Sequence, residues 1–220
     1  TVNASILTVF QNIWDRLTQN DIKRSKTVKS LPYQFADIYI DNRGFVYTCT
    51  GKIEGTARGQ VRVLSPGGIN ILSGSSSINF GEKSLVTRLG QKKQQNFCSI
   101  QADKRGFIYV LDATYGLIYI YDSDANMITA FGGGNGLGTQ KGVFSSACSM
   151  VVQNEKVFVA DSLRNCITVF QCTDYGKLVL DAQEMTLNAD YQRARPLWEK
   201  VLALDSQNML ALRGLAKAAF

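Results

Sequence analysis

The sequence predicts a mainly β chain of repeated antiparallel blades that gives way to helices toward its C-terminus. Three observations carry this expectation. A pattern of apolar alternation and turns over residues 97–131 recurs once before itself and once after. Turn residues fall at matching places in each copy, and after Phe170 the apolar period lengthens from two to a helical three or four.

The central copy reads FCSIQADKRGFIYVLDATYGLIYIYDSDANMITAF. Ile108 and Val110, then Ile118 and Ile120, alternate with other residues and are separated by turns at residues 103–106 and 113–116, which predicts strand, turn, strand in one antiparallel sheet. The first copy, FADIYIDNRGFVYTCT, starts at Phe35; Phe35 to Phe97 and Gly44 to Gly106 are both 62 positions apart. Gly44 and Gly106 supply the positive φ of a hairpin turn. A longer loop over residues 51–59 then precedes a strand at 60–64, a Pro66-Gly67-Gly68 turn and a further strand at 69–72. The polar stretch 73–96 exceeds a simple link and has room for a short strand or an excursion.

The third copy starts at Cys148 and is one residue shorter at its first turn. Asp161 falls on Asp112 and Asn165 on Gly116. Each carboxylate is expected to accept N–H groups of a tight turn, with Gly or Asn in the left-handed position that follows. The glycine-rich stretch 132–142 holds no dinucleotide or phosphate-loop spacing and reads as a flexible connection between blades.

Residues 4–19 place Ile6, Val9, Phe10, Ile13, Trp14 and Leu17 at helical spacing, and a basic connection with Lys23, Arg24, Lys26 and Lys29 follows. The expected organisation is therefore a helix and connection over 1–32, three blades over 33–172, and helices over 173–220. In the last part Tyr175, Leu178, Ala182 and Met185 make one apolar stripe, and Tyr191, Ala194, Trp198, Val201 and Leu202 a second; Ala211, Leu212, Leu215 and Ala216 begin a third. Pro196 should bend the second helix or move its start. The chain opens at Thr1 and closes in a helical pattern at Phe220, so both ends are expected to continue in a longer protein.

Composition narrows the chemistry. The formal charge is +6, with a second basic group at Arg88, Lys92, Lys93, Lys104 and Arg105, and neither group has the aromatic interleaving of a single-strand binder. The chain has no histidine, which removes a histidine base or histidine-held metal from these residues. Five cysteines, at 49, 98, 148, 166 and 172, have no C-x-x-C spacing; they are expected to be free structural thiols, with Cys49 and Cys166 buried beside apolar strands. Asp37, Asp41 and Asp103 could assemble a carboxylate site but sit where turn and strand-edge residues belong. No catalytic residue, metal or cofactor is assigned, and no apolar run is long enough to span a bilayer.

The form D-x-x-G-x-[IV]-Y-V-x-D, a short turn, I-x-[VI]-[YF], then F-G and a glycine-rich link resembles the NHL repeat of β-propellers, over roughly three blades. Propellers close with about four to eight blades, so the resemblance implies a partial ring and raises self-association as a way to close it. Residues 189–208 resemble the second helix and turn of a tetratricopeptide repeat, with Ser206 where proline is usual. Blades followed by such helices resemble a bacterial family of membrane-tethered NHL-repeat proteins. That resemblance implies an extracytoplasmic binding or scaffold module, with any membrane contact made outside this chain; the alternative location is cytoplasmic. The expected partner is a protein or peptide, met at a blade rim bearing Arg43, Lys104 and Arg105 and in a helical groove bearing Tyr191, Trp198 and Arg213. A nucleic-acid-binding propeller is the alternative reading, and a propeller hydrolase or lyase the second.

Overall fold

The computed structural model describes residues 35–51, 59–72, 80–81, 94–134 and 140–218. The expected helix over 4–19, the basic connection after it and most of the stretch 73–96 lie outside the described residues. The chain divides into two compact units, Thr1–Gln34 and Phe35–Phe220, and everything below concerns the second.

Three antiparallel sheets follow one another along the chain. The first has the order β1 (Phe35–Ile40), β2 (Val46–Thr50), β3 (Val61–Leu64). The second runs β4 (Phe97–Ala102), β5 (Ile108–Asp112), β6 (Leu117–Tyr121), β7 (Met127–Gly132). The third runs β8 (Ala147–Gln153), β9 (Lys156–Asp161), β10 (Cys166–Gln171). These meander sheets, here blades 1 to 3, fit a β-propeller in which β1, β4 and β8 are the innermost strands. Alternation decides which face of each blade meets which neighbour. Tyr47 and Val63 of blade 1 pack with Ile100, Ile108 and Val110 of blade 2, while Tyr109, Leu111, Ile118 and Ile120 from its other face pack with Met150, Val157 and Val159 of blade 3.

Each first turn is held by its aspartate. Asp41 Oδ1 accepts from the N–H groups of Arg43 and Phe45, both at 2.9 Å, and Asp103 Oδ1 from those of Arg105 at 2.9 Å and Phe107 at 3.0 Å. Gly44 and Gly106 take the left-handed conformation at φ +81° and +88°. The shorter turn of blade 3 puts Asn154 and Glu155 there at φ 50° and 60°, as a two-residue hairpin requires. Blade 1 lacks the expected fourth strand. Asn70 Oδ1 instead accepts from Val63 and Leu72 N–H, each at 3.3 Å, and the segment holds to blade 1 through Ser65 N–H to Ile69 O and Ile71 N–H to Val63 O, both at 2.8 Å, around a single Leu64–Asn70 bridge.

The link after β7 differs from expectation too. Where it is described it is clamped rather than loose: Gly133 N–H donates to Gly116 O at 2.8 Å and Phe144 N–H to Gly133 O at 2.9 Å, with Phe144 buried. A Cβ on Gly134 would overlap the Phe144 backbone, which is why glycine stands there.

Asp112 and Asp161 cap the next turns, and they also reach the chain entering their own blade. Asp112 Oδ1 accepts from Asn96 at 3.1 Å and Thr114 at 2.7 Å; the Asp161 carboxylate accepts from Ser145, Ser146, Leu163 and Arg164. The two carboxyls titrate oppositely. Burial pushes Asp112 up, against the N–H groups of Asn96, Thr114 and Tyr115, and its Oδ2 is buried without a partner. Burial also opposes the charge on Asp161, but the Ser145, Arg164, Ser146 and Leu163 N–H groups outweigh it and hold the carboxyl below its usual range. The stability Asp161 contributes is therefore present above its unfolded pKa of about 3.9 and lost as pH falls through its folded value, whereas that of Asp112 is present below about 3.9 and lost as pH rises through its folded value. In thermal melts at pH 7, Asp161→Asn should lower Tm by a few degrees, for a loss of about 1–3 kcal/mol. Asp112→Asn should leave Tm unchanged or raise it.

Three helices close the described chain: α1 (Asp174–Leu187), α2 (Tyr191–Leu204) and α3 (Met209–Lys217). Thr173, Asp190 and Asn208 cap them by accepting from Gly176, Arg193 and Ala211 N–H. Pro196 lies inside α2, which runs from Tyr191 to Leu204 as one helix. Leu180 of α1 packs into the cluster between blades 2 and 3, and the remaining apolar faces form a separate core around Trp198, Ala182, Ala194 and Ala211. Among the described residues no helix is long and apolar enough to cross a membrane.

The five cysteines are free. Cys49 is buried, but Cys166 is exposed, because it opens β10, the outer strand of its blade. Burial pushes the Cys49 and Cys98 thiols up to about 12, which keeps them protonated and unreactive.

Candidate functional site

A cleft of about 1020 Å³ opens at the rim formed by the first turns of the three blades. Its walls come from Tyr39, Asp41 and Arg43 of blade 1, Asp103, Lys104, Arg105 and Tyr109 of blade 2, the Asn154-Glu155 turn of blade 3, and Asp181 and Glu184 of α1. Arg43, Arg105 and Glu184 also line a smaller pocket beside it.

Helix α1 is brought here by specific contacts. Arg105 Nη1 lies 3.1 Å from Asp181 Oδ1, Lys177 Nζ 2.7 Å from Glu155 Oε2, and Gln183 Nε2 donates to the buried Asp122 Oδ2 at 2.8 Å. Asp122 in turn holds the third hairpin turn of blade 2, between β6 and β7, accepting from Asp124 and Asn126 N–H. One face of α1 thus reads three turns at once, Leu180 supplies the apolar anchor, and Asp181 and Glu184 project along the cleft.

The three basic residues expected to present a rim are placed there, but the two arginines are turned back on their own blades. Arg43 Nη2 lies 2.8 Å and its Nε 3.0 Å from Asp41 Oδ2, with the guanidinium 5.1 Å above the Phe45 ring. Arg105 repeats this, its Nε 3.2 Å from Asp103 Oδ2 and its guanidinium 5.1 Å above Phe107. Burial opposes the Asp41 charge, but Arg43 and the Phe45 and Arg43 N–H groups outweigh it and hold the carboxyl below its usual range. Lys104 is exposed at the mouth. The lining therefore carries three cations and five carboxylates, Asp41, Asp103, Glu155, Asp181 and Glu184, and of the five Asp41 is paired with Arg43, Asp103 and Asp181 with Arg105, and Glu155 with Lys177 beside the cleft. The sequence expectation of a basic rim is corrected on this point: in each turn the D-x-R spacing brings the aspartate and arginine side chains together.

Asp37, considered with Asp41 and Asp103 as a carboxylate site, is used elsewhere. Its Oδ2 accepts from Ser99 Oγ and Ile100 N–H, both at 2.9 Å, bridging β1 to β4. Among the described residues no group of three or more Cys, Asp or Glu side chains is placed to hold a metal ion.

The helical candidates separate. Tyr191 and Arg213 are exposed, whereas Trp198 is fully buried, its Nε1 donating to Thr186 Oγ1 at 2.8 Å and its ring filling the space over Gly214. Trp198 is corrected from a groove residue to the centre of the interhelical core. Tyr39, Tyr109, Glu155, Asp181 and Glu184 are the cleft residues that sequence reasoning missed. The acidic pair spaced by three on α1 was a visible signal, but not the rim to which that helix returns.

Blades of this kind with three trailing helices define a mainly β chain with propeller-like neighbours. A catalytically inactive virginiamycin B lyase from Staphylococcus aureus, solved with quinupristin, is similar with a TM-score of 0.34 and 13% identity, over 68% of this chain and 45% of that one. The computationally designed Ika4 protein is similar with a TM-score of 0.34 and 9% identity, over 66% and 95%. A protein of unknown function from Bacteroides caccae follows at 0.28 and 7%, over 66% and 59%. The chain thus spans about half the length of the lyase. No protein-family model and no curated protein matches it. Likeness at this level says nothing of chemistry.

Proposed function

We propose that the chain is a non-catalytic recognition module whose rim cleft takes a basic segment of a partner protein. In this reading the blades are NHL-like, the helices are tetratricopeptide-like, and α1 braces the two into one scaffold, presented outside the cytoplasm by regions beyond this chain. The observation that supports the reading is the charge balance of the cleft. A chain of formal charge +6 gathers five carboxylates around this one opening and ties both rim arginines to carboxylates of their own. An extended peptide bearing Arg or Lys finds complementary charge there, and a phosphate backbone meets repulsion.

Fluorescence anisotropy with labelled nona-arginine and nona-glutamate tests this directly. Nona-arginine should bind saturably and nona-glutamate should not. Glu184→Lys should weaken nona-arginine binding about tenfold or more, roughly 1.4 kcal/mol, with Tm unchanged. Equal binding of both peptides, or an indifferent Glu184→Lys, would sink the reading.

A further inference from the structure

The interfaces between blades repeat, and both ends of the described arc expose the faces that make them. Asp37 on β1 accepts from the N–H of Ile100 on β4, an edge strand of its sheet, and from Ser99 Oγ. Ser99, which occupies in blade 2 the position of Asp37, in turn accepts at 3.2 Å from the N–H of Met150 on β8. Each innermost strand so presents one side chain to the edge N–H of the next. Ser149 occupies the same position in blade 3 and is exposed, while Ile38 N–H, the blade 1 equivalent of Ile100 and Met150 N–H, is met only locally by its own neighbour Asp37 Oδ1 at 2.9 Å.

The apolar faces repeat in the same way. Blade 2 buries Tyr109, Leu111, Ile118 and Ile120 against blade 3. Blade 3 carries Phe158, Ala160, Ile167 and Val169 at the corresponding positions, on the face shared with Val151, and there Ile167 is 67% and Val169 51% exposed. At the other end, blade 2 buries Ile100, Ala102 and Ile108 against blade 1. The matching residues of blade 1 are Ile38, Ile40 and Val46; on the inner strand Ile38 is 61% and Ile40 59% exposed, while Thr48, opposite Ile38 on the central strand, is buried. One end is thus a donor face and the other a receiving face of the same repeated interface.

We infer that these two faces mate between two copies of this chain, blade 3 of each against blade 1 of the other, with Ser149 Oγ meeting Ile38 N–H. The contact is head-to-tail; with three blades from each copy the ring holds six, inside the range of about four to eight at which propellers close. It covers Ile38, Ile40, Ile167 and Val169 and is independent of what the rim cleft binds.

The test is complementation read by light scattering at several concentrations. The wild-type chain should run at twice its 24.3 kDa mass. Ile38→Lys/Ile40→Lys and Ile167→Lys/Val169→Lys alter exposed positions, so circular dichroism should show both folded, and each alone should be monomeric because every interface needs one face of each kind. Mixed one to one they should recover a dimer, since one intact interface remains. A monomeric wild-type chain, an assembly that grows with concentration, or dimerisation of either variant alone would overturn the inference.

Discussion

Trp198→Ala should cost about 3–5 kcal/mol and melt the helices away from the blades. Trp198 has no exposed surface and packs among Ala182, Ala194, Val201 and Ala211 on three helices, so truncation leaves a cavity at their meeting point. It also removes the donor to Thr186 Oγ1, a hydroxyl that itself bonds back to Ala182 O at 2.8 Å. The helices hold to the blades chiefly through α1, with Leu180 and the ion pairs to the rim, while Ile128 of β7 packs against the core that α1 shares with α2 and α3. Far-UV circular dichroism should show the helical signal lost roughly 10 °C earlier than in the wild type, ahead of the sheet signal. A single coincident transition shifted by less than a few degrees would show that the helices do not depend on this ring.

Asp37→Ala should cost about 2–3 kcal/mol and act on all three blades. The substitution strips Ile100 N–H and Ser99 Oγ of a charged acceptor, and hydrogen bonds to charged groups contribute about 1.5–3 kcal/mol each way. Ser99→Ala breaks both links of the same relay, to Asp37 and to Met150. A double-mutant cycle in urea should therefore give a coupling of about 1 kcal/mol or more, the double variant being little worse than the poorer single one. Additive effects would mean that the relay is two unrelated contacts rather than one path from β1 to β8.

Much of the blade architecture was legible because it is written locally. The recurrence of the blade pattern, the alternation at Ile108–Val110 and Ile118–Ile120, and the left-handed Gly106, Gly116 and Asn165 each follow from neighbours in sequence, and most strands and turns stand where that pattern puts them. The fourth strand of blade 1 failed because one side chain, Asn70, captures two backbone N–H groups, an event without periodicity. The cleft was less legible for a different reason. Arg43 and Arg105 look like free cations in a +6 chain, and only the folded turn shows each lying on its own aspartate and aromatic ring. The role of α1 was hidden further, since Asp181 is 76 residues from the arginine it meets. Apolar spacing alone cannot tell an outward tryptophan from an inward one, so Trp198 was read onto a surface it does not reach.

The most direct measurement of the central claim, an acidic recognition cleft on the blade rim, is amide hydrogen exchange of the chain alone, with nona-arginine and with oligouridylate. The peptide should protect residues 39–43, 102–109, 152–155 and 181–184, the segments that line the cleft, and oligouridylate should leave them unchanged. Protection of those segments by oligouridylate, or peptide protection confined to α2 and α3, would contradict it.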